Sequence, residues 1–299
     1  MSKGVLVNLT KCIGCGACTV ACKMYNANKW INNIAPVNGE NAQLADENWT
    51  VIKKFKLFKN DKSQVWRFVK QQCLHCQSPS CVSACFAKAL QKTNEGAVVY
   101  FPENCVGCRY CMLACPFKIP KFEWQTPIPA VTKCVMCYGR LKEGKSPACV
   151  SVCPEGVMKF GERETLLKEA KEIIANDSRY INHIYGEKEA GGTSWIYISD
   201  MPFEKIGFNT NVVKKPLPAY TSSYMKCTPI FGAIWTIILT ALYFITKRRN
   251  TIKNETTDFL YNNPTNNKTN NNLSNEITPT QSDNTFTNVQ PETNTKKEN

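Results

Sequence analysis

The stretch Cys105-Val-Gly-Cys108-Arg-Tyr-Cys111-Met-Leu-Ala-Cys115-Pro116 carries four cysteines separated by two, two and three residues, with a proline behind the last. Thiolates at this spacing hold cubane iron–sulfur clusters. Three of them, two residues apart, wrap one cube, and the fourth, carried onto the following turn, serves another. One such run therefore requires two clusters and further cysteines to complete them. The chain supplies these. Cys12, Cys15, Cys18 and Cys22 repeat the spacing. Cys73, Cys76, Cys81 and Cys85 repeat it with one gap widened by Ser78, Pro79 and Ser80, all turn formers. Cys134, Cys137, Cys149 and Cys153 make a fourth quartet with eleven residues between its inner pair.

Sixteen of the seventeen cysteines thus fall into four quartets, enough for four [4Fe-4S] clusters, and only Cys227 stands apart. Disulfide frameworks suit short secreted chains, and clustering at two-residue intervals does not suit bridges between distant strands. Zinc sites are built from two cysteine pairs and have no use for triplets followed by a fourth cysteine and proline. The formal charge of +13 is not a nucleic-acid signal. Four clusters with thiolate ligands contribute roughly −8, so part of the lysine surplus is expected to offset buried cluster charge. No stretch interleaves basic and aromatic residues as a nucleic-acid surface would.

Along the chain, no apolar core or twin arginine precedes Cys12, so no signal peptide is expected. Val5, Val7 and Leu9 recur at alternate positions and predict a short strand feeding the first cluster loop. Gly14 and Gly16 permit the tight backbone that loop requires. Within the insertion 23–72, Trp49 to Phe58 and Gln64 to Val69 read as strands of a hairpin. His75, between two cysteines, reads as a satisfied structural histidine. Gly96 to Phe101 predicts a strand returning to the third quartet. The spacer after Cys137 holds Arg140, Lys142 and Lys145 and reads as an exposed basic excursion. Glu164 to Ile174 has helical apolar spacing, and Trp195 to Ile198 reads as a strand.

Pro229 to Thr246 gives eighteen uncharged, mostly apolar residues, about 27 Å of helix at 1.5 Å per residue and enough to span a membrane. Lys247-Arg248-Arg249 follows it, against Lys214, Lys215 and Lys226 on the other side. That balance places the C-terminus in the cytoplasm and the cluster region on the extracytoplasmic, periplasmic face. Beyond it, 250–299 is rich in asparagine and threonine and is expected to be disordered. Cys227, beside the span, reads as an inert thiol. The expected fold is α+β: a duplicated two-cluster ferredoxin-like domain with loop insertions and one C-terminal transmembrane helix. Its parts are the four-cluster region 1–160, the remainder of that domain and a linker at 161–228, the helix 229–246, and the basic flank and tail 247–299.

The quartets, with Lys133-Cys134-Val-Met-Cys137, Pro147-Ala-Cys149-Val-Ser-Val-Cys153-Pro154, Gly191-Gly192-Thr193 and Met201-Pro-Phe203-Glu-Lys-Ile-Gly207, make residues 1–249 resemble a known family. It comprises the iron–sulfur electron-transfer subunits of membrane oxidoreductases: the beta subunits of dimethyl-sulfoxide-reductase-family molybdopterin enzymes, formate dehydrogenase among them, and HybA-like hydrogenase subunits. The resemblance implies a crossed ligation. Cys12, Cys15 and Cys18 would share a cluster with Cys153, and Cys134, Cys137 and Cys149 with Cys22. Cys73, Cys76 and Cys81 would share one with Cys115, and Cys105, Cys108 and Cys111 with Cys85. The spacing by itself requires only that each fourth cysteine serve a different cube. Phe86 after Cys85 and Lys23 after Cys22 depart from the proline common there.

The resemblance further implies an electron relay with no catalytic site of its own. Its partners would be a catalytic hydrogenase or molybdopterin subunit and an integral membrane quinone-reactive or cytochrome b subunit, and it would cross the membrane with a partner that bears the export signal. A free-standing polyferredoxin carrier is the alternative, disfavoured by the apolar helix. Anaerobically purified protein should be brown and carry about sixteen iron atoms when fully loaded. Metal analysis that finds zinc in a colourless sample would overturn the cluster assignment.

Overall fold

The computed structural model describes residues 2–30, 36–58, 62–124, 130–213 and 217–261. Most of the expected tail, 262–299, and Lys214 and Lys215 lie outside the described residues. In chain order the elements are β1 (Lys3–Asn8), α1 (Ala17–Tyr25), β2 (Asn38–Gly39), β3 (Thr50–Phe58), β4 (Gln64–Gln72), α2 (Ser80–Ser83), β5 (Leu90–Lys92), β6 (Val98–Tyr100), α3 (Tyr110–Ala114), β7 (Lys121–Phe122), β8 (Val131–Thr132), α4 (Tyr138–Lys142), α5 (Ala148–Ser151), β9 (Met158–Glu162), α6 (Arg163–Asn176), β10 (Trp195–Ile198) and α7 (Leu217–Tyr261). The content is mixed α and β. The chain divides into two units, 1–226 and 227–299.

In the first unit, β1 is the central strand of a three-stranded sheet, parallel to β10 and antiparallel to β9. The expected strand forms as β1, and both its faces are covered. Val5 and Val7 join Trp195 and Tyr197 in the main core. Leu6, Ile196 and Ile198 pack under Leu166, Leu167 and Ala170 of α6. The insertion forms the expected hairpin, β3 against β4, from Thr50↔Gln72 to Phe58↔Gln64. Its inner end is buried at Val51, Ile52, Val69 and Lys70, and its outer end is exposed at Phe58.

The cysteine loops share one backbone device. In the Cys-x-x-Cys that opens each run, the residue before the second cysteine is left-handed: Gly14 (φ 73°), His75 (51°), Gly107 (68°) and Met136 (56°). The reversed φ sharpens the turn so that the two sulfurs can face a common centre. Glycine adopts it freely; His75 and Met136 do so at a cost of roughly 1–2 kcal/mol each. In three of the runs the extent of the helix goes with the residue after the fourth cysteine; α2 stops at Ser83 although Phe86, not proline, follows Cys85. Cys115-Pro116 and Cys153-Pro154 lie just beyond the short α3 and α5, where proline disfavours further helix. With Lys23 in that place, α1 runs on through Cys22 to Tyr25. The basic spacer is also more ordered than a solvated loop. It folds into α4 with Leu141 buried, and Arg140 Nε donates to Ser146 O at 2.7 Å.

The C-terminal helix α7, most of which makes up the described part of the second unit, exceeds the expected span at both ends. It begins at Leu217, carries Pro229 inside it and continues to Tyr261, so residues 250–261 are helical rather than disordered. Once a helix is nucleated, each added residue gains a bond. Here Thr251 and Thr256 also turn their hydroxyls onto the carbonyls of Lys247 and Ile252, four residues back. α7 is long and apolar enough to cross a membrane, and Ile230, Phe231, Trp235 and Tyr243 are all exposed on it. Cys227 is exposed as well.

The two glycine turns differ in their surroundings. Nothing lies within 4 Å of a Cβ built on Gly107, whereas one on Gly14 would clash with the Phe68 ring. Gly107→Ala should therefore cost only the backbone strain, roughly 1–2 kcal/mol. Gly14→Ala should cost more, because Phe68 of β4 or the loop itself must move. Urea unfolding of the two variants checks this, and equal losses would show that the ring yields freely.

Candidate metal centres

Strand register determines which cysteines meet. Val7 pairs with Met158 across β1 and β9. Cys12, five residues after Val7, and Cys153, five before Met158, therefore leave the same end of the sheet. Leu90 pairs with Tyr100 across β5 and β6 in the same sense, which brings Cys85, five residues before, beside Cys105, five after. Helix packing completes the pattern, with α1 against α5 and α2 against α3.

Four groups result. Cys12, Cys15, Cys18 and Cys153 line one cavity with about 400 Å³ of empty space. Cys85, Cys105, Cys108 and Cys111 line another of about 350 Å³. Cys73, Cys81 and Cys115 surround Cys76. Cys22 faces Cys149 and Cys137, and Cys134 faces Cys22 and Cys149. The cysteine that ends each run thus sits with the triplet of a different run. Neighbouring groups also lie close enough for their charges to interact, through Cys18 and Cys149, Cys134 and Cys73, and Cys81 and Cys111. The groups therefore follow one another in a series, with exposed Cys15 in the first and exposed Cys108 in the last.

Several observations test whether these residues fit iron–sulfur clusters. All seventeen cysteines are free thiols. Burial pushes Cys18 and Cys111 up to about 11 and Cys22 and Cys81 up to about 12. Such thiols stay protonated at neutral pH unless a metal displaces the proton. A tetrahedral zinc site with bonds of 2.3 Å needs sulfurs roughly 3.8 Å apart. Among the described residues, no three Cys, His, Asp or Glu side chains close around a single ion in this way. Several sulfurs receive N–H groups: Cys134 Sγ from Met136 N at 3.3 Å, Cys137 Sγ from Ala148 N at 3.4 Å, and Cys22 Sγ from Asn26 Nδ2 at 3.6 Å. These are donors suited to anionic sulfur.

The strongest indication comes from three lysines. Lys70 and Lys133 are 3% exposed, and Lys92 is half-buried. Among the described residues, none of the three pairs with a carboxylate. Lys70 Nζ donates to Thr50 Oγ1 at 2.7 Å and Gln72 Oε1 at 3.0 Å, and lies 4.8 Å from the Trp195 ring. Lys92 Nζ donates to Gly96 O at 2.7 Å and His75 O at 3.1 Å, and Lys133 Nζ to the carbonyls of Val98 and Cys134. A buried cation without a counter-charge costs several kcal/mol. The counter-charges here are the cysteines. Burial works against the Lys70 ammonium, but the sulfurs of Cys149, Cys18, Cys134 and Cys22, once deprotonated, outweigh it and hold Lys70 above the usual lysine range. The three lysines were not individually distinguishable in the sequence. Lys70 is one of several lysines in a hairpin, and only the pairing of β4 with β3 turns it inward.

His75 is fully buried. Its Nδ1 accepts the Val98 N–H at 2.8 Å, and its Nε2 lies 3.5 Å from Cys134 Sγ. The expected structural role holds for one ring nitrogen; the other reaches a cysteine of a different group.

Two overlapping stretches, residues 11–89 and 64–163, match the 4Fe-4S dicluster domain family. The chain is 42% identical to a protein of Nitratidesulfovibrio vulgaris, over 85% of this chain and 69% of that one. It is 34% identical to the hydrogenase-2 operon protein HybA of Escherichia coli O157:H7, over 69% of this chain and 72% of HybA. With the iron–sulfur subunit of nitrate-inducible formate dehydrogenase from Escherichia coli K12, the identity is 35%, over 64% and 66% of the two chains. Paired dicluster matches, a donor set that fits four-iron clusters and likeness to HybA over most of both chains lead to one conclusion: the chain belongs to the family of iron–sulfur electron-transfer subunits that includes HybA and the formate dehydrogenase iron–sulfur subunits.

Proposed function

We propose that this chain relays electrons through four [4Fe-4S] clusters. One end of the relay would meet a catalytic subunit, either a hydrogenase or a molybdopterin oxidoreductase such as formate dehydrogenase. The other would meet a membrane quinone-reactive or cytochrome b subunit. The observation that carries this reading is the series of four cysteine groups, each within electrostatic reach of the next. The ligand sets are Cys12, Cys15, Cys18 and Cys153; Cys22, Cys134, Cys137 and Cys149; Cys73, Cys76, Cys81 and Cys115; and Cys85, Cys105, Cys108 and Cys111. Clusters bound there supply one-electron transfer. The protein's own residues do the rest. The thiols give up their protons as iron binds, the three lysines hold positive charge against the clusters, and Leu74, Ile119 and Met136 wall the middle groups from water.

The ends of the series suit partners. Beside Cys15, Ile13, Val20 and Met24 are exposed, and beside Cys108, Val106, Tyr110 and Leu113 are exposed. Apolar surface of that kind, next to a terminal cluster, brings a partner's redox centre close while excluding water. The matched repeat of strand register and helix packing supports a duplicated two-cluster ferredoxin-like domain over 1–160, completed by 161–228. α7 would anchor the chain in the membrane by a single span at 229–246, with Lys247, Arg248 and Arg249 on the cytoplasmic side and the cluster unit outside.

Cys115→Ser should damage the cluster held by Cys73, Cys76 and Cys81 and leave that of Cys105, Cys108 and Cys111 nearly intact. Cluster-resolved EPR checks it, and the reverse pattern would overturn the crossed assignment. Protease added to intact spheroplasts should cut the cluster unit and spare the tail. Cleavage of the tail alone would reverse the orientation.

A further inference from the structure

We infer that His75, carried on the loop that holds one cluster, is a positioning residue for the next. Its Nε2–H donates to Cys134 Sγ and so raises the reduction potential of the cluster bound by Cys22, Cys134, Cys137 and Cys149. This rests on the four-cluster reading above and deepens it.

The tautomer follows from geometry. Nδ1 lies 2.8 Å from the backbone N–H of Val98 and must accept that bond. A protonated imidazolium could not, since both its nitrogens carry hydrogen. The single ring proton is therefore on Nε2, whose nearest partner is Cys134 Sγ at 3.5 Å. The ring has little freedom to turn away, being 0% exposed. Its backbone is pinned as well: φ is 51°, and the His75 carbonyl accepts from Ser194 N and Lys92 Nζ, each at 3.1 Å.

The crossing matters because of where it lies. His75 sits between Cys73 and Cys76, yet its proton points to the other group. Cys73 and Cys134 belong to one buried apolar cluster with Ile119, so this is the junction where the two middle groups meet. A donor to a ligand sulfur stabilises the reduced, more negative state of a cluster more than its oxidised state, and so raises the potential. His75 thereby biases the middle step of the relay toward one side. The ring is given an electrostatic task beyond filling space.

Three variants separate that task from packing. His75→Leu removes both ring functions. His75→Asn keeps an acceptor for Val98 N–H but falls short of Cys134. His75→Gln can still present an N–H near the position of Nε2. In EPR-monitored redox titrations of the full-length protein, His75→Leu and His75→Asn should lower the midpoint potential of the cluster whose signal Cys137→Ser alters. The cluster whose signal Cys115→Ser alters should shift less, and His75→Gln should restore most of the loss. Four clusters with unshifted potentials, or a shift confined to the Cys73 cluster, would overturn the role of His75.

The wild-type protein gives a test that needs no variant to fold. The chain has two histidines, and the other, His183, is paired with Glu189 Oε1 at 2.8 Å. Pulsed EPR on reduced protein labelled with [15N]histidine should show a weak nitrogen coupling on the Cys134 cluster. Its absence there would overturn the inference while leaving the clusters established. A protein with no cluster signals at all would instead overturn the reading on which it rests.

Discussion

Negative charge on sulfur, taken out of water, is the constraint that the rest of this structure answers to. Sixteen cysteines are gathered in one unit, most of them half-buried or buried, and anionic clusters in a poorly solvated interior need positive charge nearby. The chain meets that need with fixed cations delivered from outside the cysteine runs. β4 carries Lys70 inward to face cysteines of two groups. Lys92 comes from β5, and Lys133 stands beside Cys134. Without the clusters, these lysines would be uncompensated buried charges; without the lysines, the clusters would be. Each makes the other tolerable.

The same arrangement appears in both halves. An antiparallel strand pair brings the first cysteine of one run beside the last of another, five residues from the nearest pair on each side, at Cys12 with Cys153 and at Cys105 with Cys85. A helix pair then sets the inner cysteines side by side, α1 with α5 and α2 with α3. The fourth cysteine cannot join its own triplet, because it lies on the helix or turn that leads away from it. The crossing is thus a consequence of chain geometry, and it links neighbouring groups mechanically as well as electrically. A loop that positions one centre also touches the next, as His75 does at Cys134.

The features that read out directly from the sequence are local ones. Cysteine spacing, the tight glycine turns at Gly14 and Gly16, the β3–β4 hairpin and the helix expected over Glu164 to Ile174 each depend on residues close along the chain. Other features were hidden for reasons that can be stated. His75 and Met136 take the left-handed turn that glycine takes elsewhere, so composition did not mark them. Leu6 is buried because α6 returns over the sheet, a contact made across about 160 residues. The helix beyond Thr246 extends into polar sequence, because each residue added to an already nucleated helix gains a backbone bond, where composition assigned a disordered tail.

The sequence alone determined the chemistry: four sets of thiols at spacings that suit iron–sulfur cubes, because ligand spacing is a short-range property that a loop either has or lacks. Only the tertiary structure decided which fourth cysteine meets which triplet, which of many lysines turn inward against the cysteines, and where the single proton of His75 points. Those outcomes depend on strand register and helix packing between distant segments, and a linear reading carries no information about distance in space.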